Sequence, residues 1–316
     1  MTSSRLHWLP IAAIGVTVVL WASAFVAIRH VGHHVSAGAL SLGRLLIGAL
    51  VLGAFVWIRR SAPTTTPRRW PARADWWRLL IIGISWFGLY NIALNEAERH
   101  VDAGTAAMLV NIGPLLIAIG AGVLLGEGFP RNLMIGCAVA FAGIVVIGVA
   151  ISTGGSDALG ITLCLASAVF YAAGVLAQKP LLAKLPGLHV TWIACLIGAV
   201  VCLPFAPAMV DQLGSGSGDS IWWIIYLGTF PTAIGFATWA YALARNSAGR
   251  TVAATYLAPP ITILISWAFL GETPAALALV GGAIALLGVY IARRTPKAKP
   301  EPAAELELES QAGAAR

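Results

Sequence analysis

Apolar runs long enough to cross a hydrocarbon core recur along almost the whole chain, and no other feature constrains its fold as tightly. A membrane-spanning helix needs roughly 20 consecutive apolar residues. Runs of that kind are read at 8–28, 36–58, 77–97, 104–125, 131–151, 159–177, 189–209, 221–243, 252–270 and 275–293. With 59% hydrophobic residues, 10% charged residues and a mean hydropathy of +0.84, the chain lacks the polar surface that a water-soluble domain needs. The pattern predicts an all-α membrane protein of ten transmembrane helices. The first run is too long and too rich in Trp for a cleaved signal, so it is kept as a helix.

The basic residues assign the sides. Seventeen of the twenty Lys and Arg fall in the alternate loops and tails that share a side with the N-terminus. Arg29 and Arg99 fall on the other side, and Arg44 falls within a helix. Positive charge collects on the cytoplasmic side of membrane proteins, so both termini are expected in the cytoplasm and the chain in the cell membrane. The net charge of +7 is thereby explained without a nucleic-acid partner; the bilayer is the partner. The four cysteines, Cys137, Cys164, Cys195 and Cys202, lie inside apolar runs and are expected to pack as small hydrophobes. No metal or cofactor is expected.

Sliding the sequence on itself by 145 residues places AGTAAMLVNIGPLLIAIGAGVLLGE on AGRTVAATYLAPPITILISWAFLGE. Pro114 then falls on Pro259, and Gly126-Glu127 on Gly271-Glu272. Gly136 meets Gly281, and Gly143 meets Gly288. A weaker match at a shift of 144 sets Trp21-Ala-Ser-Ala-Phe25 beside Leu165-Ala-Ser-Ala-Val169. The chain therefore reads as two five-helix repeats, 8–151 and 159–293, followed by a tail, 294–316, whose Pro, Ala, Glu and Lys cannot build a core and which is expected to be disordered. Five is odd, so the second repeat enters the membrane inverted. Inverted repeats around a midplane site are a signature of secondary transporters.

WASAFVAIRHVG with SAGALSLGRLL, then ALNEAERHVDAGTAAMLVNIGPLLIAIGAGVLLGE, resembles the drug/metabolite transporter superfamily, EamA type. The resemblance covers roughly residues 12–293. It implies a ten-helix, exporter-like carrier whose third, fourth, eighth and ninth helices, helped by the first and sixth, line a central cavity. It implies no single substrate. The chain departs from a symmetric pattern in carrying Arg44 in the second helix with no basic partner in the seventh.

Polar groups in hydrocarbon are costly and should face protein or water. On the third helix Phe87, Asn91, Asn95 and Glu98 form one stripe, which either wets a cavity or bonds neighbouring helices. Pro114 on the fourth helix and Pro259 and Pro260 on the ninth release backbone carbonyls, which are tolerated where they are buried in protein or line a wet cavity. That places Asn111, Thr255 and Tyr256 near the expected site, with Pro231 as a further kink. Trp86, Tyr90, Tyr171, Trp239 and Tyr241 offer flat faces with polar tips, suited to amphipathic ligands, although packing is the commoner role of such rings. Arg44 lies ~13 Å from its helix end, taking 1.5 Å per residue. By depth its nearest candidate partner is Glu96, which could also carry a coupling proton; snorkelling of Arg44 is the alternative.

Glu127 and Glu272 read as helix caps. His30, His33 and His34 cluster in a loop without acidic or thiol partners, so solvated histidines are expected there, not a metal site. The seven-residue glycine spacings lay small residues on one helix face, where a close helix contact or a homodimer could form. Every aspartate lies in a loop or at a helix edge, and no H-E-x-x-H or G-x-x-x-x-G-K-[ST] motif occurs, so neither intramembrane catalysis nor direct ATP hydrolysis is expected. The reading is a secondary transporter, more exporter than importer, of a small metabolite such as an amino acid or amphiphilic drug. A channel or a non-transporting membrane partner is the alternative.

Overall fold

The computed structural model describes residues 5–59, 70–124, 131–152, 158–215, 218–246, 251–252 and 254–292, and among these it contains helices and no strand. Glu127 and the expected disordered tail lie outside the described residues. The ten passes are α1 (Arg5–Val31), α2 (Ala37–Arg59), α3 (Arg73–His100), α4 (Ala103–Val110 and Gly113–Leu124), α5 (Arg131–Ser152), α6 (Ala158–Leu182), α7 (Gly187–Gly214), α8 (Gly218–Arg245), α9 (Ala254–Leu270) and α10 (Ala276–Ala292).

Side chains at the loops show which helix ends share a face. At one end Arg29 meets Glu272, His30 meets Asp219, and the Ser36 amide donates to Gln212. At the opposite end Lys184 meets Asp75, and Lys179 reaches past the end of α8. The chain therefore crosses back and forth, and the parity expected of ten helices is obeyed. Exposed Trp8, Trp57, Trp76 and Trp77 ring the Lys179 end, while Trp222 and Trp267 stand towards the Arg29 end. Such rings suit the two lipid headgroup levels.

The repeats interleave. α1 packs on α8 and α9, and α2 packs on α7 and α8; in return α6 packs on α3 and α4, and α7 on α3. The two copies use matching residues. A Cβ on Gly228 would lie 2.5 Å from that of Ile47 and 2.8 Å from the Arg44 carbonyl oxygen. One on Gly83 would lie 2.5 Å from that of Ile197 and 3.0 Å from the Ala194 carbonyl oxygen. Gly83 and Gly228 are 145 residues apart, whereas Arg44 and Ala194, like Ile47 and Ile197, are 150 apart. The turns after α1 and α6 agree: Val35 bonds back to Val31 as Leu185 does to Leu181. The shift of 144 expected for the first helices is therefore corrected to 150, which sets Trp21 against Tyr171 and Arg29 against Lys179.

α5 and α10 lie against each other, antiparallel. A Cβ on Gly143 would fall 2.4 Å from the Ala285 nitrogen, and one on Gly288 would fall 2.3 Å from the Ala140 nitrogen. Of the two readings of the glycine faces, the close helix contact is the one seen: they are closed on each other within one chain.

Candidate functional site

Helix interruptions shape the middle of the bundle. α3 and α8 each contain a π-helical stretch, Ile82–Leu89 and Gly228–Ile234, at matching repeat positions. The α8 stretch contains Pro231, which has no amide proton to give, whereas the α3 stretch has Trp86 at the matching position and no proline. Both stretches hold carbonyls that side chains reach. The Trp21 indole donates to the Pro231 carbonyl at 3.2 Å. The Asn91 amide donates to the Phe87 carbonyl at 2.8 Å and reaches Trp86 at 3.5 Å. α4 breaks at Asn111–Ile112, just ahead of Pro114. α9 opens with a 3-10 turn, Ala254–Leu257, just ahead of Pro259.

Between these interruptions lies a cavity walled by both repeats. The first supplies Trp21, Ala24, Phe25 and Ile28 from α1, Arg44 from α2, Trp86, Tyr90 and Leu94 from α3, and Val110, Asn111 and Pro114 from α4. The second supplies Tyr171 from α6, Phe236 from α8, and Thr255 and Ala258 from α9. One wall is aromatic: Trp86 stands 5.0 Å from Phe236, 5.3 Å from Tyr171 and 6.1 Å from Trp21, and Trp21 stands 5.1 Å from Phe236, ring centre to ring centre. Such edge and tilted contacts fix the rings and leave a rigid apolar face.

Of the residues singled out from sequence, Trp86, Tyr90, Asn111, Tyr171, Thr255, Arg44 and Pro114 line this cavity. The others lie elsewhere, each for a local reason. Asn91 is turned to its own helix backbone, Asn95 donates to Ser41 Oγ at 2.9 Å and the Ala37 carbonyl on α2, and both Glu98 carboxylate oxygens are buried without a hydrogen-bond partner among the described residues; the polar stripe does not line the cavity. Trp239 is fully buried behind Trp21 and Trp86, with its indole bonded to Gln178. Tyr241 is five residues past Phe236, on a different helical face, and carries the Arg245 guanidinium 3.7 Å above its ring. In the 3-10 turn side chains three apart eclipse, so Thr255 and Ala258 share the cavity while Tyr256 packs beside Leu115 and Ala140. Pro231 and Pro259 are buried and Pro260 is exposed.

The pairing of Arg44 with Glu96 is corrected. Glu96 bonds Arg99 and His100 on its own helix, because its side chain lies on the outer face of α3. Arg44 instead donates from Nε to Thr232 Oγ1 at 3.2 Å. Glu272, expected as a cap, receives Arg29 Nε at 3.2 Å on both oxygens, while Gly271 closes α9 with a left-handed φ of 66°. No group of three metal-ligating side chains occurs among the described residues. Sequence reasoning missed Trp21, Phe25 and Phe236. Trp21 emerges as the counterpart of Tyr171 only at the shift of 150, which packing between the repeats reveals.

Comparison with known proteins gives a consistent result. A family model described as the EamA-like transporter family matches twice, at residues 8–149 and 158–294. The chain is 38% identical over 297 residues to a probable terminal-alkyne amino-acid exporter of Streptantibioticus cattleyicolor, covering 93% of this chain and 95% of that one. It is 26% identical to an uncharacterized transporter of Archaeoglobus fulgidus, covering 89% and 97%. A solved crystal structure superposes with a TM-score of 0.60 at 19% identity, covering 90% of this chain and 96% of the other, a likeness of fold.

Proposed function

The chain belongs to the EamA-like transporter family, and on that premise we propose that it exports small amino-acid-like metabolites across the cell membrane by alternating access, with both termini cytoplasmic. The observation that carries this reading is the cavity itself. It is shared between the repeats, and the α4 break, the α9 turn and the α3 π stretch border it. Interrupted helices bend at defined points, so one repeat can rock against the other around a site that stays in place. The rigid aromatic face suits a short apolar side chain. A probable terminal-alkyne amino-acid exporter from Streptantibioticus cattleyicolor among the relatives supports the same class.

Purified protein in proteoliposomes preloaded with an unlabelled apolar amino acid should take up the labelled one faster than empty vesicles do, with saturation. A pH gradient should change the rate if protons are exchanged for the solute. Conductance without saturation would make the protein a channel. Absence of flux across all common amino acids would overturn the export reading.

A further inference from the structure

The cavity carries one basic side chain, and most of that side chain is unused by the protein. Arg44 is 4% exposed and lines the cavity. A guanidinium holds five N–H donors in a planar fork, and among the described residues only Nε is engaged, on Thr232. The titratable groups whose charge acts on it are Tyr90, Glu98 and Cys195, and no hydrogen bond or ion pair joins any of them to it among the described residues. A cation held away from water inside a membrane protein is costly unless something completes its shell. The second repeat has Ala194 at the equivalent position, so the scaffold does not need an arginine there.

A second orphan lies on the same cavity. Asn111 Nδ2 donates to the Ala107 carbonyl at 3.3 Å, which fixes the orientation of the amide and leaves Oδ1 as the other end. That oxygen is buried without a hydrogen-bond partner among the described residues. It can only accept, as the Arg44 fork can only donate. A donor-only cation, an acceptor-only oxygen and an apolar wall of Trp21, Trp86 and Phe236 are complementary to the carboxylate, the ammonium and the side chain of one amino acid.

Resting on the export reading above, we propose that Arg44 and Asn111 form an amino-acid headgroup site, with Arg44 holding the substrate carboxylate and Asn111 Oδ1 accepting from its ammonium. Thr232, bonded to Nε, is a positioning residue that aims the rest of the fork at the cavity.

The test uses binding, so that it stays separate from flux. Thermal stabilisation of the detergent-purified full chain is titrated with L-norleucine, with hexanoate, which lacks the amine, and with pentylamine, which lacks the carboxylate. Arg44→Met should weaken norleucine and hexanoate about 10- to 100-fold, the range for hydrogen bonds to a charged group, and leave pentylamine unchanged or tighter. Asn111→Leu should weaken norleucine and pentylamine about 5-fold and leave hexanoate unchanged. Arg44→Lys retains charge without the fork and should fall between wild type and Arg44→Met; it also serves if Arg44→Met does not elute as a single species. Equal weakening of all three probes by Arg44→Met, or no stabilisation of the wild type by any probe, overturns the headgroup site. Binding of norleucine in this pattern without flux would overturn the export reading and leave the site standing.

Discussion

At one end of the bundle the Arg29 guanidinium donates to the Glu98 carbonyl at 2.7 Å and also holds Glu272. At the other end the Lys179 ammonium donates to the Leu243 carbonyl at 2.7 Å and the Asn246 carbonyl at 2.8 Å. Arg29 and Lys179 are repeat counterparts, and so are Glu98 and Leu243. Each cation ends the first helix of its repeat and satisfies carbonyls at the C-terminus of a third or eighth helix, where no amide within the helix can reach them. The duplication has kept the backbone contact and changed the chemistry around it. The same holds at depth: Arg44 faces Ala194, and the Asn91, Asn95 and Glu98 stripe faces Phe236, Ala240 and Leu243 across the repeat. The scaffold is symmetric, and the buried charge at depth, Arg44 and Glu98, lies in the first repeat.

Close backbone seams should respond alike in both halves. A Cβ on Gly48 would lie 2.7 Å from Thr232 Cγ2, and one on Gly198 would lie 2.5 Å from Phe87 Cβ. Gly48→Leu and Gly198→Leu should each destabilise by about 3 kcal/mol or more, as overpacking at a helix seam does. Monodispersity and unfolding temperature would read this, and tolerance of one substitution but not the other would break the structural equivalence of the repeats.

Charge placement should respond unlike. Ala194 is fully buried, and Ala194→Arg inserts a cation at a position that does not line the cavity described above. A loss of roughly 2.5–3.5 kcal/mol is expected from the cost of an arginine at mid-bilayer. Arg44→Met should leave the unfolding temperature of the ligand-free protein unchanged or raised, since replacing a buried charge with an apolar side chain is often neutral or stabilising. Equal losses from both would mean that Arg44 serves the scaffold.

The smallest effect separates the two end clasps. Arg29 and Glu272 keep side-chain exposures of 18% and 31%, so a double-mutant cycle with Arg29→Met and Glu272→Gln should give a coupling of only about 0.5–1 kcal/mol, falling in high salt. Lys179→Met removes a cation bonded to backbone carbonyls, and its effect should be less dependent on salt. Equal salt dependence at the two ends would erase the distinction drawn here.

Much of this was readable without coordinates, because its causes are local. Hydropathy placed the ten helices, their even number fixed which helix ends share a face, and Pro114 and Pro259 placed the breaks in α4 and α9. The facing of α3 was not readable. Trp86, Tyr90 and Leu94 form one stripe, and Asn91, Asn95 and Glu98 form the next, one residue round the helix. By polarity the second is the natural choice for a wet cavity. The structure turns the first to the cavity, because the amides of the second are taken by carbonyls of the π stretch and by α2.

Sequence by itself thus determined the membrane class, the helix number, the duplication and the positions of the kinks, since each follows from solvent transfer or from a missing backbone proton. Tertiary structure alone decided the 150-residue register of the first helices, the burial of the glycine faces of α5 and α10 against each other, and the meeting of Arg44 and Asn111 on one cavity. Those depend on which helix lies beside which, and a side chain's partners across a bundle are set by packing between segments far apart in the chain.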